Sequence, residues 1–377
     1  GGADGSRGEL ILNGGTLTVA GTEASPVLFT SAATTKQPGD WYGIRLKQGS
    51  VSLRHFVVEY AVNGLRLEDN DTRFDSYLVE HGVLRFSRDY AVYQLANQWP
   101  VELNDLTVTN NQSGIYAEGP LLVRDSRINR NTSDGIYGNS GSLTLTNCDV
   151  STNGGWGLTK SSGQLVVRNC KFQWNIGGVS VSQPNPITFV GNTVSQNSSQ
   201  GLLLNFGSGF GGSGSLSAEG ITNNVIWNND VGVQISGYGP PSALSLSGND
   251  IYQNLTFELR NVSSIPVLAN GNYWGEPTTA ELALARLNLT RIWDSRDGAQ
   301  GAVMINQWYA NSVTGGSPGP LVNLDYSLLV PGVAQVVSGV VDSTTTWSGK
   351  IVIAGDVTVS GNLTISAGTQ VFFDPLH

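Results

Sequence analysis

Ser142-Leu143-Thr144-Leu145-Thr146-Asn147-Cys148-Asp149-Val150-Ser151-Thr152-Asn153 decides the fold. Leu143 and Leu145 alternate with polar residues, which gives a strand with one buried face. Asn147 ends that strand, Val150 points inward again, and Asn153 makes the next corner. Gly157-Leu158 then opens another short strand. Three short strands separated by turns make one triangular coil.

The unit recurs. Asn111, Asn131, Asn153, Asn175, Asn197, Asn229 and Asn254 each stand three residues after an apolar anchor: Val108, Ile128, Val150, Phe172, Val194, Ile226 and Ile251. The steps are 20, 22, 22, 22, 32 and 25 residues, the mark of a solenoid. A second column lies three residues before the anchors: His55, Asp75, Asp105, Asp125, Asn147, Asn169, Gly191, Asn223 and Gly248. Asn, Asp and Gly suit corners because they tolerate left-handed backbone. Stacked asparagines can also bond to one another from coil to coil, which satisfies amides that water does not reach.

Composition narrows the function. The chain has 377 residues, a formal net charge of -9, 39% hydrophobic and 13% charged residues. No Lys/Arg run occurs, so nucleic acid and anionic membranes are disfavoured as partners. No apolar run is long enough to span a bilayer. Scarce lysine and abundant hydroxyls and amides fit an extracellular or cell-surface protein. The start at Gly1-Gly2-Ala3, without Met or signal sequence, fits a mature form or a segment of a longer chain.

The outer regions are looser. Leu78 to Val108 is 30 residues and reads as a coil with an insertion; the step of 32 is assigned to the glycine-rich loop Asn205 to Gly214. Residues 1–276 are expected to form the solenoid. Residues 277–345 form a helix-bearing, irregular segment, with Thr278-Thr279-Ala280-Glu281 in the form of a capping box and Gly315 to Pro320 as a linker. Residues 346–377 are expected to form C-terminal strands.

The asparagine column, the opening Gly15-Thr16-Leu17 to Phe29-Thr30-Ser31, Gly39-Asp40-Trp41-Tyr42-Gly43-Ile44 and Asn272-Tyr273-Trp274-Gly275 together resemble the right-handed parallel β-helix repeat proteins, of the pectate-lyase-like and NosD-like kind, in a secreted bacterial form. The resemblance implies an all-β, right-handed parallel β-helix over roughly residues 8–310. It leaves function open, because this fold hosts lyases, hydrolases, adhesins and inert surface proteins. In such proteins a stretch like Gly355 to Phe373 resembles a first coil and leads into one like Gly8 to Leu17. Two readings follow: a segment of a tandem array, or self-assembly in which C-terminal strands cap the next subunit's first coil. The interface would comprise Leu10, Ile11, Leu12 and Leu17 on one side and Val357, Val359, Leu363, Ile365, Val371, Phe372 and Phe373 on the other. An extracellular structural module pairing end to end with copies of itself or like modules is the first expectation. A polysaccharide-binding or polysaccharide-degrading helix is the alternative.

Four groups of residues bear on that choice. Tyr116 and Tyr137 follow aligned Gly-Ile pairs and should point outward and stack; Trp156 and Trp174 lie close in register. A row of aromatics can serve sugar rings or a protein partner. Glu68-Asp69-Asn70-Asp71, with Asp75, Glu80, His81, Arg66, Arg73, Arg85 and Arg88, is the densest charge cluster. It matches no catalytic motif, and surface ion pairs around an insertion are its plainer reading. No cofactor is expected; Ca²⁺ on these carboxylates is the one alternative. His55 and His81 read as corner residues rather than metal ligands. Cys148 and Cys170 should stack on adjacent coils, as a disulfide or as two apolar thiols. The glycosylation-like triplets at Asn131 and Asn254 fall on the buried column and are assigned to the ladder.

Overall fold

The computed structural model describes residues 7–68, 76–95, 99–183, 186–207, 216–238, 243–299, 301–314 and 318–374. It is a stack of three-strand coils in parallel register. On one face the strands Leu65–Leu67, Tyr90–Gln94, Ser113–Ala117, Ile136–Gly138 and Trp156–Lys160 follow one another, each bonded to the next. Leu121–Arg124, Leu143–Thr146, Leu165–Arg168 and Ile187–Val190 make a second face. Arg127–Asn129, Asp149–Ser151, Lys171–Gln173, Thr193–Ser195 and Val225–Trp227 make the third. Because strand side chains alternate, every second residue joins an interior row: Ile128, Val150, Phe172, Val194, Ile226 and Ile251 are all fully buried.

The asparagine column is a hydrogen-bonded ladder. Asn153 Oδ1 accepts from the backbone N of Asn131 at 3.2 Å and from its Nδ2 at 2.9 Å. Asn153 Nδ2 in turn donates to the carbonyl of Ile128 at 3.1 Å and to Asn175 Oδ1 at 3.0 Å. The pattern repeats from Asn111 to Asn254. At the far end Glu258 takes the acceptor's place: its Oε2 receives Asn254 Nδ2 at 2.5 Å and Asn254 N at 3.3 Å. Burial pushes the Glu258 carboxyl up to about 7, while the bonds from Asn254 pull the other way.

The corner column holds, with left-handed φ at His55, Asp105, Asp125, Asn147, Asn169, Gly191, Asn223 and Gly248. In the coil between His55 and Asp105, His81 rather than Asp75 is the corner residue, with φ of 54°; Asp75 lies outside the described residues. Strand pairing sets Val58 against Leu84 and Leu84 against Val108, so Leu84 is that coil's anchor and not Leu78. Ser87 stands in the ladder column and donates its backbone N–H to Asn111 Oδ1 at 2.9 Å.

A second ladder, which the spacing of residues does not announce, runs one residue after that corner column. Cys148 N points at Cys170 Sγ, Cys170 N at Asn192 Oδ1, and the line continues through Asn224 and Asn249 to Asn272. Both cysteines are free and buried.

Parallel pairing runs past residue 276. Ile292 pairs with Leu259, and Val303 with Val267; Trp274 and Trp308 are buried beneath. The helix Thr278–Ala283 therefore sits within a coil. It has no side-chain cap at its start, because the N-cap residue is Pro277, which carries no acceptor, and not Thr278; Glu281 turns to the following loop and accepts Thr290 N at 2.9 Å. The reciprocal capping box lies at Asp294 and Asp297 instead.

The strands Val333–Val341, Lys350–Val359 and Gln370–Phe373 form their own three-stranded parallel sheet. Tyr326 donates its hydroxyl to Asp374 at 2.7 Å across to its end.

Candidate functional site

The first face carries the chemistry. Its outward row reads Arg45, Arg66, Tyr93, Tyr116, Tyr137 and Thr159, one residue per coil. Tyr93 stacks on Tyr116 with centroids 4.8 Å apart, and Tyr116 on Tyr137 at 5.6 Å, with planes within 8°. The rings thus cover one another's faces and present edges and hydroxyls outward. Tyr90 crosses the stack at 52°, with centroids 5.4 Å from Tyr116.

Beside the stack lies a cleft of about 380 Å³, lined by Tyr90, Ser113, Ile115, Tyr116, Ser133, Asp134, Tyr137 and Asn139. That volume falls within the range of small-ligand pockets. Asp134 fixes its floor: Oδ1 accepts Trp156 N at 2.8 Å and Oδ2 accepts the Thr159 hydroxyl at 3.0 Å. The Tyr116 hydroxyl donates to Glu118 at 2.7 Å, and burial followed by that bond holds its pKa well above the usual phenol value. The Tyr137 hydroxyl pairs with Ser161 at 2.8 Å.

The row begins in an ion-paired cluster. Arg45 bridges Glu9 at 3.1 Å and Glu68 at 2.8 Å. Arg66 binds Glu68 and lies over the Tyr93 ring, 5.0 Å from its centroid. Burial pushes the Glu68 carboxyl up, but the bonds from Arg45 and Arg66 outweigh it and leave it below the ordinary range. The rest of the charge-dense stretch resolves into pairs: Arg54 with Glu80, Arg85 with Glu59, Arg88 with Asp89 and His81 with Asp105. His55 and His81 stack ring on ring at 4.7 Å. Among the described residues no group of three or more His, Cys, Asp or Glu side chains could hold a metal. Asp69, Asn70, Asp71, Arg73 and Asp75 lie outside them.

Of the four aromatics singled out by sequence, the structure brings Tyr116 and Tyr137 into the cleft. Trp156 is one column away on the next coil, over Gly177. Trp174 is elsewhere: it occupies the left-handed corner before Asn175, 58% exposed. Tyr90, Tyr93 and Asp134 were missed. The signal for Tyr93 was present, since Ala91-Val92-Tyr93 repeats the small-aliphatic-Tyr order of Gly114-Ile115-Tyr116 and Gly135-Ile136-Tyr137.

The two residue groups expected at an end-to-end interface lie in separate sheets. Leu10 and Ile11 are exposed while Leu12 is buried and Leu17 packs on the core. Val359, Ile365 and Phe373 are exposed; Val357, Leu363, Val371 and Phe372 are half-buried.

The chain belongs to the right-handed β-helix region family, which matches residues 42–213 and again 90–255. No curated protein gives a significant match. Among solved structures, the A-module of the mannuronan C-5 epimerase AlgE6 of Azotobacter vinelandii aligns at a TM-score of 0.38 and 14% identity, over 99% of this chain and 92% of that one. A mutant of the periplasmic alginate epimerase AlgG aligns at 0.34 and 13%, over 99% and 78%. No described helix is long and apolar enough to cross a membrane.

Proposed function

We propose that this β-helix is a secreted polysaccharide-binding protein whose ligand lies across the tyrosine face. One observation carries the reading: a cleft of about 380 Å³ that combines three tyrosines with Ser113, Ser133, Asp134 and Asn139. Ring edges and hydroxyls suit a sugar, which needs apolar contact and hydrogen bonds together. Affinity electrophoresis through gels containing single polysaccharides tests it. At least one polymer should retard the chain, and Tyr90→Ala and Tyr137→Ala should each weaken retention about tenfold or more. If no polymer retards the wild-type chain, or both variants run like it, the reading fails.

A second reading, end-to-end pairing with like modules, is favoured by the open strand edges. Among the described residues Glu9–Ala20 pairs with Gly43–Glu59 alone, and Gln370–Phe373 with Lys350–Val359 alone. Phe373 is 73% and Val340 64% exposed. Light scattering should then show mass rising with concentration, and deleting residues 346–377 should abolish the rise. A constant monomer mass would discard this reading.

A further inference from the structure

Resting on the polysaccharide reading, we infer that the cleft takes an uncharged, hydroxyl-rich glycan rather than a uronate polymer. None of its eight lining residues is cationic, and one is the carboxylate Asp134. A second carboxylate, Glu118, stands on the rim, held by the Tyr116 hydroxyl. Among the described residues, the cations on the neighbouring strands have work elsewhere, and Arg130 stands at the left-handed corner before Asn131, outside the lining. Arg66 is held by Glu68 and leans on Tyr93, away from the cleft lining. Arg45 is divided between Glu9 and Glu68. Arg88 pairs with Asp89. Lys160 shares a strand with Trp156, but its side chain turns inward, fully buried, and its ammonium is bound by the carbonyls of Gly141 and Ser162.

A uronate entering this cleft would bring its carboxylate against Asp134 and Glu118 with no cation in the lining to receive it. Like charges a few ångströms apart repel. A neutral sugar meets no such term. Its hydroxyls can donate to Asp134, whose oxygens keep lone pairs beyond those used by Trp156 and Thr159. They can accept from the serines and from the Asn139 amide. The outward tyrosine edges carry the positive side of the ring quadrupole, and these also favour a hydroxyl oxygen.

The intact chain should be run through gels containing neutral polymers (β-1,3-glucan, galactomannan, dextran) and acidic ones (polygalacturonate, alginate, hyaluronate). A neutral polymer should bind at least about tenfold more tightly than any acidic one. That retention should hold from about 20 to about 300 mM NaCl, because no long-range charge attraction contributes. Asp134→Asn and Glu118→Gln should each raise retention by acidic polymers about two- to fivefold. Retention by an acidic polymer as strong as by any neutral one, or no gain in either variant, overturns the inference and leaves the polysaccharide reading standing. Retention by no polymer at all overturns that reading as well.

Discussion

Between Leu103 and Leu259 the coils hide their apolar anchors almost completely, whereas the strands from Val333 to Phe373 leave many of theirs in water. Val108, Ile128, Val150, Phe172 and Val194 are fully buried. Val336, Val340, Val359, Ile365 and Phe373 are 43–73% exposed, although both regions are parallel sheet with similar residues. The difference is the number of neighbours. One coil cannot cover its own cross-section and depends on coils above and below. The middle has them on both sides; the C-terminal strands make one sheet of three and one of two. Side-chain amides follow the same rule. Asn153 is buried with four ladder bonds, while Asn362 is exposed and gives its backbone carbonyl to Thr345 N.

Asparagine-to-alanine changes at these two sites should break the comparison most sharply. Asn153→Ala strands the backbone N–H and a side-chain N–H of Asn131 and the carbonyl of Ile128, in a place water does not reach. At about 1–3 kcal/mol for each unsatisfied buried group, the expected loss is about 4 kcal/mol. Asn362→Ala should cost less than about 0.5 kcal/mol. Chemical denaturation of both variants measures this. Equal losses would mean that the ladder contributes no more than an ordinary surface amide.

The ladder's end separates burial from bonding. The folded chain holds the Glu258 proton up to about pH 7, against an ordinary value of 4.5. The folded state therefore binds the proton that the unfolded state releases. This contribution is whole below pH 4.5 and is lost as the pH rises through 7. Glu258→Gln keeps the acceptor oxygen and stays neutral. It should match the wild type near pH 4.5 and be more stable by about 3 kcal/mol at pH 8, since every tenfold change in proton affinity is worth about 1.4 kcal/mol. A pH-independent difference between the two proteins would show that the carboxyl is not desolvated.

Much of the fold was legible because the solenoid repeats its own rule. An asparagine three residues after an apolar anchor says where a strand ends and which side faces in, and from Asn111 to Asn254 that rule is obeyed in every coil. It failed where a coil departs from the period. Val58 and Leu84 stand 26 residues apart, and over that longer step spacing points to Leu78 as anchor in place of Leu84. The second ladder escaped because two of its members are Cys148 and Cys170, and because its asparagines directly follow corner residues that already account for the pattern. The site was half legible. Tyr116 and Tyr137 share one column, but the crossing of Tyr90 and the anchoring of Asp134 by Trp156 and Thr159 depend on three-dimensional contacts between coils. Spacing groups Trp174 with Trp156, yet one belongs to a corner and the other to a strand.

The two cysteines allow the finest comparison, between two kinds of rung in one ladder. Asn192 Nδ2 donates to the Val167 carbonyl at 3.1 Å and to Asn224 Oδ1 at 3.0 Å. Two coils earlier Cys148 Sγ does the same task weakly, 3.5 Å from the Val123 carbonyl, whereas one coil earlier Cys170 Sγ lies 3.2 Å from the carbonyl of Arg168, two residues back on its own coil. A thiol is a poor donor and acceptor, so amides in both places should complete the ladder up to Ser126. The double change Cys148→Asn with Cys170→Asn is therefore expected to stabilise the chain by about 1 kcal/mol, one net hydrogen bond's worth. The larger side chain is the opposing term, because overfilling a packed interior costs about 1–3 kcal/mol. Denaturant midpoints decide between them. A gain means that hydrogen bonding sets what this column accepts. A loss of about 2 kcal/mol would mean that the coils at 148 and 170 are closed too tightly for amides, and that packing placed the thiols there.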